Sequence, residues 1–110
     1  MDKNLFISLQ AKLDYIELLV EDKKFSQALA EIKEQQTLKV VFSSQLENAR
    51  FLYLSALTLY HLGRYKEALT EAKNAFEIFR FSTENKSIGE VQHLLGSIYQ
   101  ALGDFSKAET

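Results

Sequence analysis

The stretch His-Leu-Leu-Gly-Ser-Ile-Tyr-Gln-Ala-Leu-Gly-Asp-Phe-Ser-Lys-Ala, from His93 to Ala108, decides the fold that this sequence predicts. Leucine and isoleucine recur in it at helical spacing and form one apolar stripe. Gly103 follows the stripe and suits the left-handed conformation that ends many helices. Asp104 can then cap a following helix. The stretch therefore predicts two helices joined by a tight turn at Gly103.

Gly96 lies in the middle of the first of these helices. A glycine at such a position costs about 1 kcal/mol relative to alanine, so a compensating contact is expected. Close approach of a neighbouring helix is the usual compensation, and the small Ala108 on the second helix is the expected partner. We therefore expect Gly96 to be covered.

The same pattern occurs forty residues earlier and, more weakly, eighty residues earlier. Gly96, Gly103 and Ala108 have Ala56, Gly63 and Ala68 as their counterparts, and Phe25 and Ala28 occupy the register of Phe105 and Ala108. A fixed period of this kind indicates a repeat array, in which each helical hairpin buries its apolar face by stacking on the next.

These motifs resemble the tetratricopeptide repeat (TPR). The pattern Leu-Gly-x-x-Tyr followed by Leu-Gly-Asp-Phe-x-x-Ala, in residues 95–108, carries the resemblance most fully, with Gln92 where the family has tryptophan. The second repeat departs from it at Ser55 and Leu59, and the first has Lys23 at the turn glycine. The resemblance implies an all-α fold, an α-solenoid of stacked antiparallel helix hairpins in a right-handed superhelix with about two and a half repeats.

The period is 40 residues, longer than the 34 that is usual for the family. It predicts one domain, with repeat 1 at about 4–42, repeat 2 at about 44–82 and a partial repeat 3 at about 87–110. Helices are predicted at about 4–21, 25–36, 44–62, 65–79 and 87–102. Because repeat 3 stops after about one turn of its second helix, we expect a chain cut within a repeat.

Local signals mark the connections between these helices. Two capping boxes, Ser44-x-x-Glu47 and Ser87-x-x-Glu90, predict the starts of the third and fifth helices. The turn between the first two helices is predicted at residues 22–24. Residues 37–43 are ambiguous, and are either an irregular connection or a continuation of the second helix that packs over the hairpin.

Composition excludes several function classes. The net charge is −2, so no global basic field is available to hold nucleic acid, and no polybasic membrane anchor is present. There is no cysteine for disulfide or thiol chemistry. The start lacks the pattern of a signal peptide and no apolar run approaches the ~20 residues of a spanning helix, so a cytoplasmic protein is expected.

No catalytic motif is present in the sequence. A glycine-rich phosphate loop and a nucleophile motif are both missing, so we expect a protein that is not an enzyme and has no cofactor. His61 and His93 are the only histidines. In parallel helices they would differ by roughly 12 Å in height, too far for one metal ion, so a structural or surface role is expected.

The resemblance also implies that the first helices of successive hairpins line a concave groove. Its positions map onto Asp14, Glu17 and Glu21 in the first helix, Arg50, Tyr53, Leu57, Tyr60 and His61 in the third, and Glu90, His93, Ser97 and Gln100 in the fifth. The family's carboxylate clamp for terminal peptides needs Lys and Asn where this chain has Leu13 and Glu17, so that peptide class is not expected.

Each groove cluster has two interpretations. The carboxylates of Asp14, Glu17 and Glu21 share one helix face, which is either a dock for a basic segment of a partner or a solvated surface. The set of Tyr53, Leu57 and Tyr60 supplies either anchors for a peptide or packing between repeats.

We expect a non-catalytic module that binds a peptide or helix of a partner protein in the groove. The alternative is a structural N-terminal segment of a longer scaffold or regulator. In that case an uncovered third-repeat face would allow self-association as a homodimer, through Leu94, Ile98, Leu102 and Phe105.

Overall fold

The computed structural model describes the backbone of residues 2–38, 42 and 44–109, and the side chains of residues 10–38, 42 and 44–103. Within that part of the chain every regular element is an α-helix, which confirms the all-α prediction. The helices are α1 (Asp2–Glu21), α2 (Phe25–Thr37), α3 (Gln45–His61), α4 (Tyr65–Phe79) and α5 (Asn85–Glu109). They form an elongated body of 56 × 30 × 23 Å.

The turns α1–α2 and α3–α4 have the same backbone geometry. Lys23 and Gly63, forty residues apart, both adopt a left-handed conformation, with φ of 61° and 81°. The N–H of the following residue then donates to a helix carbonyl five residues back, at 2.8 Å in the first turn and 2.9 Å in the second. This pattern is the Schellman motif, and its recurrence confirms the predicted turns at residues 22–24 and at Gly63.

Buried side chains form three adjoining clusters along the array. The first lies between α1, α2 and α3 and includes Leu13, Ile16 and Ile32. The second lies between α3, α4 and α5, and the third lies where α3 and α5 begin and α4 ends. Leu57 packs against both the first and the second cluster, so the core continues from one hairpin to the next.

Small residues are buried between α3 and α4. Ala56 and Ala68 are fully buried in the second cluster, as the repeat pattern predicts. Gly96 differs from its counterpart Ala56, because it is exposed and a Cβ atom built on it meets no atom within 4 Å. The expectation that a neighbouring helix covers Gly96 is wrong.

The reason is that α5 continues without a break through Gly103 to Glu109. The predicted turn at Gly103 and the predicted cap at Asp104 are therefore wrong. An unbroken helix keeps its backbone hydrogen bonds at the modest cost of one interior glycine. The side chain of Ala108 lies outside the described residues.

Of the two predicted capping boxes, one marks the start of a helix and the other does not. Ser44 caps α3, because its Oγ accepts a hydrogen bond from the N–H of Glu47 at 3.1 Å. Ser87 does not cap α5, which already begins at Asn85. Ser82 orders that connection instead, because its Oγ donates to the Phe79 carbonyl at 2.6 Å and accepts from the Glu84 N–H at 3.1 Å.

The connection after α2 is described in part. α2 ends at Thr37, and residues 39–41 and 43 lie outside the described residues. Phe42 is half-buried against the first cluster, with its ring centroid 5.3 Å from that of Phe51. The ambiguous segment therefore places one aromatic side chain over the first hairpin and the α3 helix.

Alanine substitutions at Gly63 and Gly96 should change the free energy of unfolding in opposite directions. Gly63→Ala should lower the free energy of unfolding by about 1 kcal/mol, because a Cβ is disfavoured in the left-handed conformation. Gly96→Ala should raise it by about 1 kcal/mol, because the helix is favoured and the added methyl group has open space. Urea denaturation measures both values. A shift in the same direction for the two variants would contradict this description of the turn and of α5.

Candidate functional site

A hollow of about 720 Å³ lies where α1, α3 and the start of α5 face one another. These are the first helices of the three repeats, which the resemblance placed along the groove. The lining residues are Gln10, Asp14, Glu17, Ser44, Leu46, Glu47, Arg50, Tyr53, Leu54, Phe79, Glu84, Ser87 and Glu90. The hollow is therefore built mainly from α1, α3 and α5, and α4 contributes the ring of Phe79.

Some of the predicted groove residues meet in this hollow and others do not. The hollow brings together Asp14, Glu17, Arg50, Tyr53 and Glu90. Its lining does not include Glu21, Leu57, Tyr60, His61, His93, Ser97 or Gln100. The site is thus confined to one end of the predicted groove.

Arg50 connects α3 to α1 through two ion pairs. Its guanidinium donates to Asp14 Oδ1 at 2.8 Å and to Glu17 Oε2 at 2.7 Å. Burial alone would lower the pKa of Arg50, but the hydrogen bonds to the two carboxylates outweigh it and raise the pKa above its usual value. Two of the three carboxylates in the predicted acidic face are therefore paired within the chain, whereas Glu21 is exposed outside the hollow.

The hollow still carries an excess of negative charge. Among the described residues, four carboxylates besides Glu47 line it, from Asp14, Glu17, Glu84 and Glu90, against the guanidinium of Arg50. Since a concave surface strengthens the field of the charges that line it, this lining favours cations over anions.

Tyr53 forms the wall between the hollow and the core. Its half-buried ring packs against the second and third clusters. Burial, together with the negative charges of Glu90 and Glu17, raises the pKa of Tyr53 to about 12. The hydroxyl therefore stays protonated at neutral pH, and the ring both packs between repeats and lines the hollow, so the two interpretations of Tyr53 are compatible.

The raised pKa predicts how stability changes in alkali. The fold favours neutral Tyr53, so this contribution to the free energy of unfolding is complete below the ordinary pKa of 10.0 and is lost as pH rises toward 12. We expect Tyr53→Phe to lose less stability than wild type across that interval. Denaturant titrations at several pH values measure the difference, and the tyrosinate absorbance of wild type minus variant reports the pKa. A difference spectrum that titrates near 10 would contradict the assignment.

Leu57 and Tyr60 pack between helices. Both are partly buried, and the Tyr60 ring lies 5.7 Å from the Tyr65 ring across the α3–α4 hairpin. His61 stacks on Phe25, with ring centroids 4.4 Å apart and an interplanar angle of 13°. Burial and the charge of Lys23 lower the pKa of His61. These contacts support the structural interpretation for three of the predicted groove residues.

The remaining groove residues lie on the surface of α5. His93 and Gln100 are exposed, and the Ser97 hydroxyl donates to the His93 carbonyl at 3.1 Å. Among the described residues, no group of three or more His, Asp or Glu side chains could hold a metal ion. None of the helices, over the same residues, is long and apolar enough to cross a membrane.

The predicted self-association surface is largely inside the core. Leu94 and Ile98 are 3% and 0% exposed and belong to the second cluster, so their prediction as an uncovered patch is wrong. They are buried because they face α4, where Ala68 and Ala72 belong to the same cluster. Leu102 is half-buried against the same cluster, and the side chain of Phe105 lies outside the described residues. Homodimer formation stays a prediction.

Sequence reasoning missed the residues that close one end of the hollow. Ser44 caps α3 and Glu47 lies in its first turn, while Glu84 precedes α5 and Ser87 lies in its first turn. The two capping signals could have located them, because in a parallel stack the starts of successive first helices lie at the same end. Phe79 needed the three-dimensional packing of α4 to be found.

The comparisons with known proteins agree with this architecture. A family model described as the tetratricopeptide repeat matches residues 47–110, more than half of the chain. No curated protein and no solved structure gives a significant match.

Proposed function

Because this chain belongs to the tetratricopeptide repeat family, we propose that it is an interaction module whose acidic hollow binds a basic segment of a partner protein. Repeats of this family generally mediate protein–protein interaction and are typically not enzymes. The fold therefore supports the binding of a protein partner, and the residues of the hollow suggest which kind of segment it binds.

The single observation that carries the proposal is the charge of the described lining, in which four carboxylates besides Glu47 face one guanidinium. Because Arg50 is shared between Asp14 and Glu17, a lysine or arginine from a partner finds its strongest field near Glu84 and Glu90. Such complementarity raises the association rate and disfavours acidic partners by like-charge repulsion.

Apolar walls complete the hollow. The half-buried Tyr53 lies among the carboxylates and can pack against the methylene stems of lysine or arginine, whereas Leu54 and Phe79 line the hollow with little exposed surface. A basic side chain would therefore gain apolar and electrostatic contacts together, which an acidic or purely apolar segment would not.

Charge reversal in the hollow tests the proposal. We expect a fluorescent peptide of alternating arginine and glycine to bind wild type, and to bind the double variant Glu17→Lys/Glu90→Lys roughly tenfold or more weakly in an anisotropy titration. Binding to wild type should also weaken as salt is added.

The matched control is Glu34→Lys/Glu67→Lys, which changes the net charge equally at exposed positions outside the hollow. It should lose much less affinity than the hollow variant, and melting curves should show that both variants are folded. Equal losses of affinity in the two variants would mean that the peptide responds only to the net charge of the protein, and the proposal would then fail. The alternative of a structural segment in a longer scaffold would gain support from that result.

A further inference from the structure

A second, apolar notch of about 380 Å³ adjoins the acidic hollow. It lies between the start of α3 and the end of α4, and is lined by Gln45, Leu46, Glu77, Ile78, Phe81 and Ser82. Leu46 lines both the notch and the hollow, so one side chain forms the wall between them. A segment lying in the hollow can therefore reach the notch across Leu46.

The notch leaves large apolar side chains in contact with water. Phe81 is 77% exposed and Leu46 is 39% exposed, while Ile78 is half-buried beside them. Single exposed apolar residues are ordinary, but adjoining ones around a concavity are typical of an interaction surface. Arg80 lies over one face of the Phe81 ring, at 4.5 Å from its centroid, and leaves the ring otherwise open.

The exposed position of Phe81 is fixed by the turn that follows α4. The Ser82 N–H donates to the Phe79 carbonyl at 2.9 Å and the Ser82 hydroxyl donates to the same oxygen at 2.6 Å. Phe79, two residues earlier, is buried and lines the hollow. The same short turn thus directs one phenylalanine toward the hollow and holds the next one at the notch.

We infer that the partner segment carries one large apolar side chain beside its basic residues, and that this side chain occupies the notch while the basic residues occupy the hollow. This inference rests on the proposed function and adds a second specificity element to it. The occupant is a single peptide with two adjacent chemical features, because Leu46 joins two cavities of different chemistry.

Three synthetic peptides test the inference by fluorescence anisotropy. One has alternating arginine and glycine followed by serine, the second has phenylalanine in place of that serine, and the third has the phenylalanine at the other end. One of the two phenylalanine peptides should bind wild type about tenfold tighter than the serine peptide, since burial of such a ring in an apolar notch favours binding to at least that extent.

Substitution at the notch should abolish that difference. In Phe81→Ser the phenylalanine and serine peptides should bind with equal affinity, because the exposed ring contributes to the notch and little to the core. Leu38→Ser is the matched control, an exposed apolar residue at the end of α2, and should keep the tenfold difference.

Two outcomes would overturn the inference. In one, the serine peptide binds wild type but neither phenylalanine peptide binds more tightly, or the tighter binding of a phenylalanine peptide persists in Phe81→Ser. In the other, sedimentation shows dimers of wild type that Phe81→Ser dissociates, which would assign the notch to a second copy of the chain. If no basic peptide binds wild type at all, the proposed function itself fails, and the two failures are thereby distinguished.

Discussion

Replacement of Ile98 by alanine should lower the free energy of unfolding by about 2–5 kcal/mol. The Ile98 side chain is fully buried in the second cluster, where α5 packs against α3 and α4. The loss combines the transfer free energy of the removed methylenes with the cavity left between helices. Urea denaturation followed by circular dichroism measures it.

The matched control is Leu18→Ala, which also truncates a branched aliphatic side chain within a helix. Leu18 is 62% exposed, so its truncation should change the free energy of unfolding by about 0.5 kcal/mol or less. Equal effects of the two substitutions would mean that α5 does not pack through Ile98. Dissociation of a dimer by Ile98→Ala, without loss of monomer stability, would restore the self-association surface that the structure contradicts.

Replacement of Ala56 by leucine should lower the free energy of unfolding by about 1–3 kcal/mol. Here the cause is overpacking of the core and not a cavity. Ala56 is fully buried between α3 and α4, so three more carbon atoms would have to displace its neighbours in the core. The helices must separate or adopt strained rotamers to accept the larger side chain. Thermal and urea denaturation should both show the loss.

Ala11→Leu provides the control for this enlargement. Ala11 is exposed on α1, so the same addition should change the free energy of unfolding by about 0.5 kcal/mol or less. A stable Ala56→Leu variant would contradict the central role of small side chains in bringing the hairpins together.

The helices themselves were predictable because apolar residues recur at helical spacing and local signals limit each helix. The start of α3 followed from Ser44, and the end of the same helix from Gly63. The family model confirms the repeat architecture that these signals indicated. The numbered limits of the three repeats stay a prediction.

The continuation of α5 was not predictable from local signals. Gly103 and Asp104 have the sequence of a helix end and a helix start, yet α5 passes through both. A turn of this kind is stable only when the second helix has an apolar face long enough to pack back, as α4 has against α3. The local sequence determines how readily a turn can form, whereas the packing of the second helix against the first determines whether it does form.

The hollow was predictable in outline and not in its charge pairing. The spacing of Asp14 and Glu17 places them on one face of α1, and the repeat pattern places α3 beside it. Arg50 neutralises part of this acidic face, but its partners are 33 and 36 residues away in sequence. The pairing therefore depends on the distance between α1 and α3, which the sequence does not give. Tyr60 and Leu57 were ambiguous for the same reason, since either face of α3 could have been covered.

The left-handed lysine in the first turn has a consequence for how the molecule opens. Lys23 bears a Cβ where Gly63 has none, so the α1–α2 bend carries strain that the α3–α4 bend avoids. Opening fluctuations of lowest free energy should therefore begin in the amino-terminal hairpin. Because Asp14 and Glu17 belong to α1, such a fluctuation would remove one wall of the hollow while the rest of the array stayed folded.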